Sequence, residues 1–293
     1  MPELPDVVVY CEALAARVRG QILERVRLQN PFVLRTADPP IADAEGKHVR
    51  DVRRIGKRIV LALDDDLFLV IHLMIAGRLR WLAAGVKPPA GITLAVLEFS
   101  SGRLAFTEAG TKRRASLHLV RGSVALAQFD MGGLEIDGSS RADFAARLTL
   151  ENHTLKRALT DPTLFSGIGN AYSDEILHRA KLSPLALTRK LSADAIARLH
   201  AAAVATMREW TARLRDEAHG DFPAKVTAFR PEMAVHGRYG QPCPVCDAPV
   251  QRIVYAENEA NYCARCQTGG VVLADRALSR LLHKSFPRRL DDG

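Results

Sequence analysis

The sequence predicts an α+β protein of more than one domain: an N-terminal β-sandwich behind a leading helix, then a helical domain that ends in a four-cysteine zinc-finger hairpin. Three observations carry this. The chain has 293 residues, about twice a common domain size. Short runs of apolar and β-branched residues fill it up to about residue 130 and then give way to Ala-rich helical periodicity. Four of the five cysteines fall in one short C-terminal segment.

The elements follow in order. Pro5 and Asp6 open, and Gly20 closes, a stretch with Val8, Cys11, Leu14 and Val18 on one side, which predicts an amphipathic helix. Strands are predicted at 22–28, 59–63, 67–73, 79–82, 93–99, 104–107 and 116–120, separated by turn signals such as Asp64-Asp65-Asp66 and Ser100-Ser101-Gly102. The Gly- and Ser-rich segment 131–140 reads as a linker. Helices are predicted near 141–151, 154–161, 170–180 and 192–218, interrupted by Pro162, Gly167, Gly169 and Pro184. The domain boundaries expected are 1–130, 141–235 and a finger at 236–275, with a tail at 276–293.

Hydrophobic residues make up 47% and charged residues 25%, with no apolar run long enough to span a membrane. Glu3 and Asp6 stand where a secretion signal would be basic, so a soluble protein of a reducing cytoplasm is expected. A net charge of +8 favours a polyanionic partner. Aromatics at 6% offer no stacking strand of the kind RNA-binding modules use.

Cys243-Pro-Val-Cys246 and Cys263-Ala-Arg-Cys266 are two C-x2-C pairs separated by sixteen residues. That spacing lets two tight turns present four thiolates tetrahedrally to one structural Zn2+. With no His or carboxylate placed to leave an open position, the ion is expected to hold a hairpin rather than activate water.

At the other end, a small residue at Pro2 permits removal of Met1, which exposes a secondary amine. An α-amino group titrates near neutrality and, as the free base, can attack an electrophilic sugar carbon, with Glu3 beside it to move a proton. Pro2 and Glu3 alone read equally as the lead into a helix.

Five motifs follow one another along the whole chain: Pro2 to Asp6, Lys57 in Arg54-Ile-Gly-Lys57, His72-Leu-Met-Ile-Ala-Gly77, Gly169-Asn170-Ala171-Tyr172, and Cys243 to Cys266. In this order they resemble the formamidopyrimidine-DNA glycosylase and endonuclease VIII family. The resemblance implies a helix-two-turns-helix DNA-binding domain and a bifunctional glycosylase and lyase acting on double-stranded DNA with a damaged or missing base. Pro2 would attack C1′, expel the base and form an imine through which the strand is cut by β-elimination. Glu3 would be the general acid on the sugar, and Lys57 a phosphate contact and proton donor. His72, Lys156 and Asn170 would meet DNA, and Glu175 would lie near the active centre. A monomer, associated with the nucleoid through DNA, is expected.

The family pattern breaks in three places. A gap-filling methionine is replaced by Ile75, Met74 being one residue off and, by strand alternation, facing the other way. A basic loop bearing an aromatic wedge is replaced by 108–114, which keeps Lys112, Arg113 and Arg114 as phosphate contacts but has no aromatic. A zinc-finger arginine is replaced by Asn258, an amide between acidic neighbours. These changes argue against efficient δ-elimination and against 8-oxoguanine as the main substrate. They also define the alternative: a lesion-binding repair protein with little or no chemistry.

Overall fold

The computed structural model describes residues 1–255, 258–273 and 289–290. The chain divides into two units, Met1–Met131 with Trp210–Thr227, and Gly132–Glu209 with Ala228–Gly293. Residues 210–227, which the sequence places with the helical domain, thus group with the sandwich.

In the first unit, helix α1 (Leu4–Val18) has Glu3 at its N-cap and Pro5 in its first turn. The Glu3 backbone N–H donates to the Asp6 carboxylate at 2.9 Å, which satisfies a donor the helix cannot. Two antiparallel sheets follow. One orders β1 (Ile22–Leu23), β3 (Lys47–Ile55), β4 (Arg58–Leu63), β5 (Leu67–His72) and β9 (Ser116–Arg121) side by side. The other orders β2 (Arg25–Leu28), β7 (Thr93–Phe99), β8 (Gly102–Glu108) and β6 (Gly77–Leu82). The single strand predicted at 22–28 is two, because the chain changes sheet at Glu24: β1 pairs with β3 and β2 with β7.

Leu61, Leu69 and Ile71 of one sheet share a core with Leu97, Leu104 and Phe106 of the other and with Val7, Tyr10 and Leu14 of α1. The opposite face of the five-stranded sheet is also covered. Val60, Phe68, Val70 and Val120 pack with Leu126 of the short helix α2 (Ser123–Ala127) and with Phe129. Two covered faces explain why β4 and β5 read as continuous apolar runs rather than alternating ones.

The second unit contains α3 (Arg141–Leu148), α4 (Leu155–Thr160), α5 (Asn170–Ala180) and the long α6 (Ala193–Ala218) up to Glu209. It also contains the hairpin β10 (Val250–Tyr255) and β11 (Asn258–Cys263) and the short α7 (Ala264–Thr268). The helices lie within a few residues of their predicted spans. Among the described residues no helix is long and apolar enough to cross a membrane. The predicted tail, 276–293, lies outside the described residues except for 289–290.

Candidate functional site

Lys57 sits in the two-residue turn between β3 and β4, where Ile55 pairs with Arg58. Gly56 supplies the left-handed conformation (φ +56°) that so tight a turn requires. Burial pulls the Lys57 ammonium below its ordinary pKa, and the Glu3 carboxylate pulls it back. Glu3 itself is 1% exposed. The same groups act on the N-terminal ammonium: burial lowers its pKa below the usual 8.0, Glu3 and Asp6 raise it, and Arg78 and Lys57 lower it. The chain terminus, Glu3, Asp6, Lys57 and Arg78 therefore form one electrostatic cluster. In this chain the titrating amine is that of Met1; it stands one residue ahead of the Pro2 nitrogen that Met1 removal would expose.

Arg58, next to Lys57, is engaged elsewhere. Its Nη1 donates to the Phe129 carbonyl at 3.1 Å, and its guanidinium lies 5.8 Å from the Phe129 ring centre. Across the sheet it pairs with His72, which pairs with Ser116. Burial, then Arg58, Lys57 and His118, push His72 down to about 4, so its ring is neutral at physiological pH. His118 was not read from the sequence: its Nε2 lies 3.2 Å from Ser116 Oγ and its ring meets Phe129 edge-on. Only its position two residues along β9 from Ser116 marks it.

The assignment of Met74 to a strand is corrected by the structure. Strand β5 stops at His72, and residues 73–76 form a turn closed by the Gly77 N–H donating to the Leu73 carbonyl at 2.8 Å. Met74 takes the left-handed conformation (φ +52°) and Ile75 is the exposed apolar residue of the turn, 54% accessible. A Cβ at Gly77 would lie 2.2 Å from the Leu73 oxygen, so only glycine allows this closure. Arg78, which sequence reasoning missed, braces the turn from below by donating to the Ile75 and Gly77 carbonyls at 3.2 and 2.7 Å.

Lys112, Arg113 and Arg114 are exposed on the loop that follows β8. The loop is pinned by Glu108, 1% exposed, whose carboxylate accepts the Arg114 and Ala115 backbone N–H groups. Arg113 Nη2 donates to the Gly91 carbonyl at 2.6 Å.

In the second unit Asn170 is the first residue of α5, with Gly169 at the N-cap, a position where helix N–H groups favour an anion. Lys156 on α4 is held in place rather than projecting: its Nζ donates to the Asn170 carbonyl and to Asp174 Oδ1, both at 2.6 Å. Asp174 is fully buried, and its Oδ2 meets His236 Nδ1 at 2.8 Å. Glu175 accepts the backbone N–H groups of Ala234, Val235 and His236 at 2.7–3.0 Å. Burial pushes its pKa up, against the pull of those three donors. Lys156→Ala leaves the buried Asp174 charge without its cation, so a loss of about 3–5 kcal/mol is expected in urea unfolding.

The Sγ atoms of Cys243, Cys246, Cys263 and Cys266 all lie within 4.8 Å of one another. Three of the separations are 4.0, 3.4 and 3.4 Å. Tetrahedral thiolates about 2.3 Å from a Zn2+ are about 3.8 Å apart, so the donor set fits such an ion, and the separations are too long for a disulfide. The Val245 N–H approaches Cys243 Sγ and the Cys266 N–H approaches Cys263 Sγ, both at 3.5 Å. The Asn258 side chain and residues 256–257 lie outside the described residues; the Asn258 backbone opens β11 opposite Tyr255.

Comparison with known proteins matches three family models in chain order. Residues 1–115 match the formamidopyrimidine-DNA glycosylase N-terminal domain, 137–216 its H2TH domain, and 240–269 a zinc finger found in FPG and IleRS. A formamidopyrimidine-DNA glycosylase of Thermus thermophilus is 33% identical over 281 residues, covering 92% of this chain and all of that one. An uncharacterized formamidopyrimidine-DNA glycosylase-like protein of Mycobacterium tuberculosis is 43% identical over 143 residues, 49% of this chain and 89% of that one. The crystal structure of Lactococcus lactis Fpg with DNA containing an abasic site superposes with a TM-score of 0.80 at 25% identity, over 91% of this chain and 99% of that one. Three domain models matched in one order, and a relative 33% identical along nearly the whole chain, show that the chain belongs to the formamidopyrimidine-DNA glycosylase family of DNA-repair proteins.

Proposed function

We propose that the protein is a base-excision glycosylase with associated lyase activity on double-stranded DNA bearing a damaged or missing base, acting through the Pro2 amine once Met1 is removed. The observation that carries this reading is the cluster at the chain terminus. The Glu3 carboxylate, 1% exposed, and the Lys57 ammonium act on the chain terminus, where burial lowers the Met1 ammonium; the same surroundings favour the neutral, nucleophilic form of an amine exposed at Pro2.

In this reading the Pro2 lone pair forms a bond to C1′ as the glycosidic bond breaks and the base leaves with its electron pair and a proton. Glu3 protonates the ring oxygen as the sugar opens, which leaves an iminium between Pro2 and C1′. Loss of a C2′ proton then expels the 3′-phosphate, and water releases the sugar from Pro2. Lys57 holds a phosphate beside this centre and donates a proton. The neutral His72, the basic loop at Lys112, Arg113 and Arg114, and the α5 N-terminus at Asn170 meet further phosphates, while Lys156 positions the Asn170 backbone. Ile75, at an exposed turn braced by Arg78, is the apolar group available to fill the place of an extruded base. The four cysteines hold one structural Zn2+, and Asn258 stands at the finger tip without a charge to offer.

Borohydride reduction on a duplex with one abasic site tests the chemistry. Protein with a free Pro2, verified by mass spectrometry, is expected to give a covalent adduct. Protein blocked at its N-terminus by one extra residue is expected to give none. Tight binding with no adduct from free-Pro2 protein would make it a lesion-binding protein instead.

A further inference from the structure

Helix α5 carries polar residues at positions 170, 174 and 178, a spacing of four that puts them along one ridge of the helix. The lower members of this ridge hold the chain that leads into the first metal knuckle. Asp174 bonds the His236 ring and, one residue on, Glu175 takes the N–H groups of Ala234 to His236. At the end of the ridge, His178 Nε2 lies 3.3 Å from Cys243 Sγ, with His178 6% and Cys243 0% exposed. Nothing in the four-cysteine pattern calls for this histidine, and the proposed chemistry does not use it.

The geometry points to His178 as a hydrogen-bond donor to the Cys243 thiolate, a positioning residue that joins the metal centre to the helix whose first residue is Asn170. This rests on the reading of the cysteines as a metal site. Four thiolates around a divalent cation carry two net negative charges, here in a pocket where Cys243 and Cys263 are fully buried. Such charge is stabilised by N–H donors directed at sulfur. Two backbone donors serve Cys243 and Cys263, and the imidazole adds a side-chain donor to Cys243. Because a thiolate only accepts, the bond fixes the ring as its Nε2–H tautomer. It also sets the height of α5 against the knuckle, so that metal occupancy and the placement of the Asn170 end are linked through one helix.

The test uses the full chain loaded with Zn2+, Co2+ or 113Cd2+. His178→Phe keeps the ring volume and removes the donor; His178→Gln restores an N–H at about the same reach. Loss of the outer donor is expected to weaken metal retention against a competing chelator by about 10–100-fold and to move the sulfur-to-cobalt charge-transfer band to lower energy. His178→Gln is expected to return both toward wild type. In wild-type protein labelled with 15N-histidine, one slowly exchanging imidazole N–H coupled to 113Cd is expected, a measurement that does not depend on any variant folding. Wild-type retention and an unmoved band in His178→Phe, or an Nδ1–H tautomer with no coupling to cadmium, would overturn the role of His178. A wild-type chain that takes up no stoichiometric metal would instead overturn the metal reading itself.

Discussion

Glu3→Gln is expected to slow base release by about 10²–10⁴-fold, the range that a positioned general acid contributes, with DNA binding little changed. The substitution is close to isosteric. Its backbone N–H donates to the Asp6 carboxylate and its side chain accepts the Asp6 backbone N–H in return, a bond that the Gln carbonyl oxygen can still accept. What it removes is a titratable carboxyl, 1% exposed, that acts electrostatically on both the chain terminus and Lys57. Single-turnover excision on a panel of damaged duplexes measures this, and an unchanged rate across the panel would remove Glu3 from the chemistry. The pH dependence carries a sign. Burial lowers the Met1 ammonium below 8.0; a Pro2 amine exposed in the same buried cluster is expected to be lowered for the same reason, and to be lost as a nucleophile as pH falls through its lowered value. The acid limb of the lyase rate is therefore expected below the pH at which a free α-amine titrates. His72, held near 4, is neutral throughout the working range and adds nothing to that limb.

Much of the architecture was legible because it is written in local chemistry. Proline, acidic residues and a terminal glycine punctuate α1; Ala-rich periodicity marks the helices of the second unit; paired C-x2-C spacings mark the metal site. The strand that sequence reasoning missed, β3, shows why patterning has limits. Its residues include Lys47, Arg50, Asp51, Arg53 and Arg54, and only Val49 and Val52 are buried. What makes it a strand is pairing with β4 across a two-residue turn and with β1, which its own charged pattern does not announce. The turn at 73–76 was missed for a related reason, since Leu73-Met74-Ile75 has the composition of a strand and only the closure onto Gly77 makes it a turn.

Site residues divide the same way. Pro2, Glu3 and Lys57 are proposed on a resemblance spread over the whole chain, since each is an ordinary residue on its own. Arg78, Asp174 and His178 act through contacts that no spacing announces: a carbonyl in a neighbouring turn, a lysine on the preceding helix, a thiolate 65 residues away. Lys156 carries the same lesson in reverse. As a sequence letter it is a free cation, whereas in the fold its Nζ is bonded to Asp174 and to the Asn170 carbonyl.

Removal of the metal is expected to unfold the finger while leaving the sandwich intact. The buried apolar residues around the cysteines are few: Val235, Ala248 and Val250 beside the thiolates, Ile253 and Tyr262 on the hairpin, and Ala264 at the start of α7. A core of this size cannot hold two strands in water by itself. Structural zinc contributes about 10–16 kcal/mol in isolated finger peptides, far more than these side chains can replace. The sandwich draws its stability from a separate cluster that includes Leu61, Leu69, Leu97 and Phe106. Hydrogen exchange read by mass spectrometry, before and after stripping with a thiol-directed mercurial and chelator, separates the two regions. Amides of β10, β11 and residues 234–236 are expected to lose protection, the last because Glu175, their acceptor, holds a segment that leads directly into the first knuckle. Amides of β4 and β5 are expected to keep theirs. DNA affinity should fall with the finger, and restoring Zn2+ should recover both. Protection of β10 and β11 that survives complete stripping would mean that the four cysteines do not depend on an ion for their arrangement.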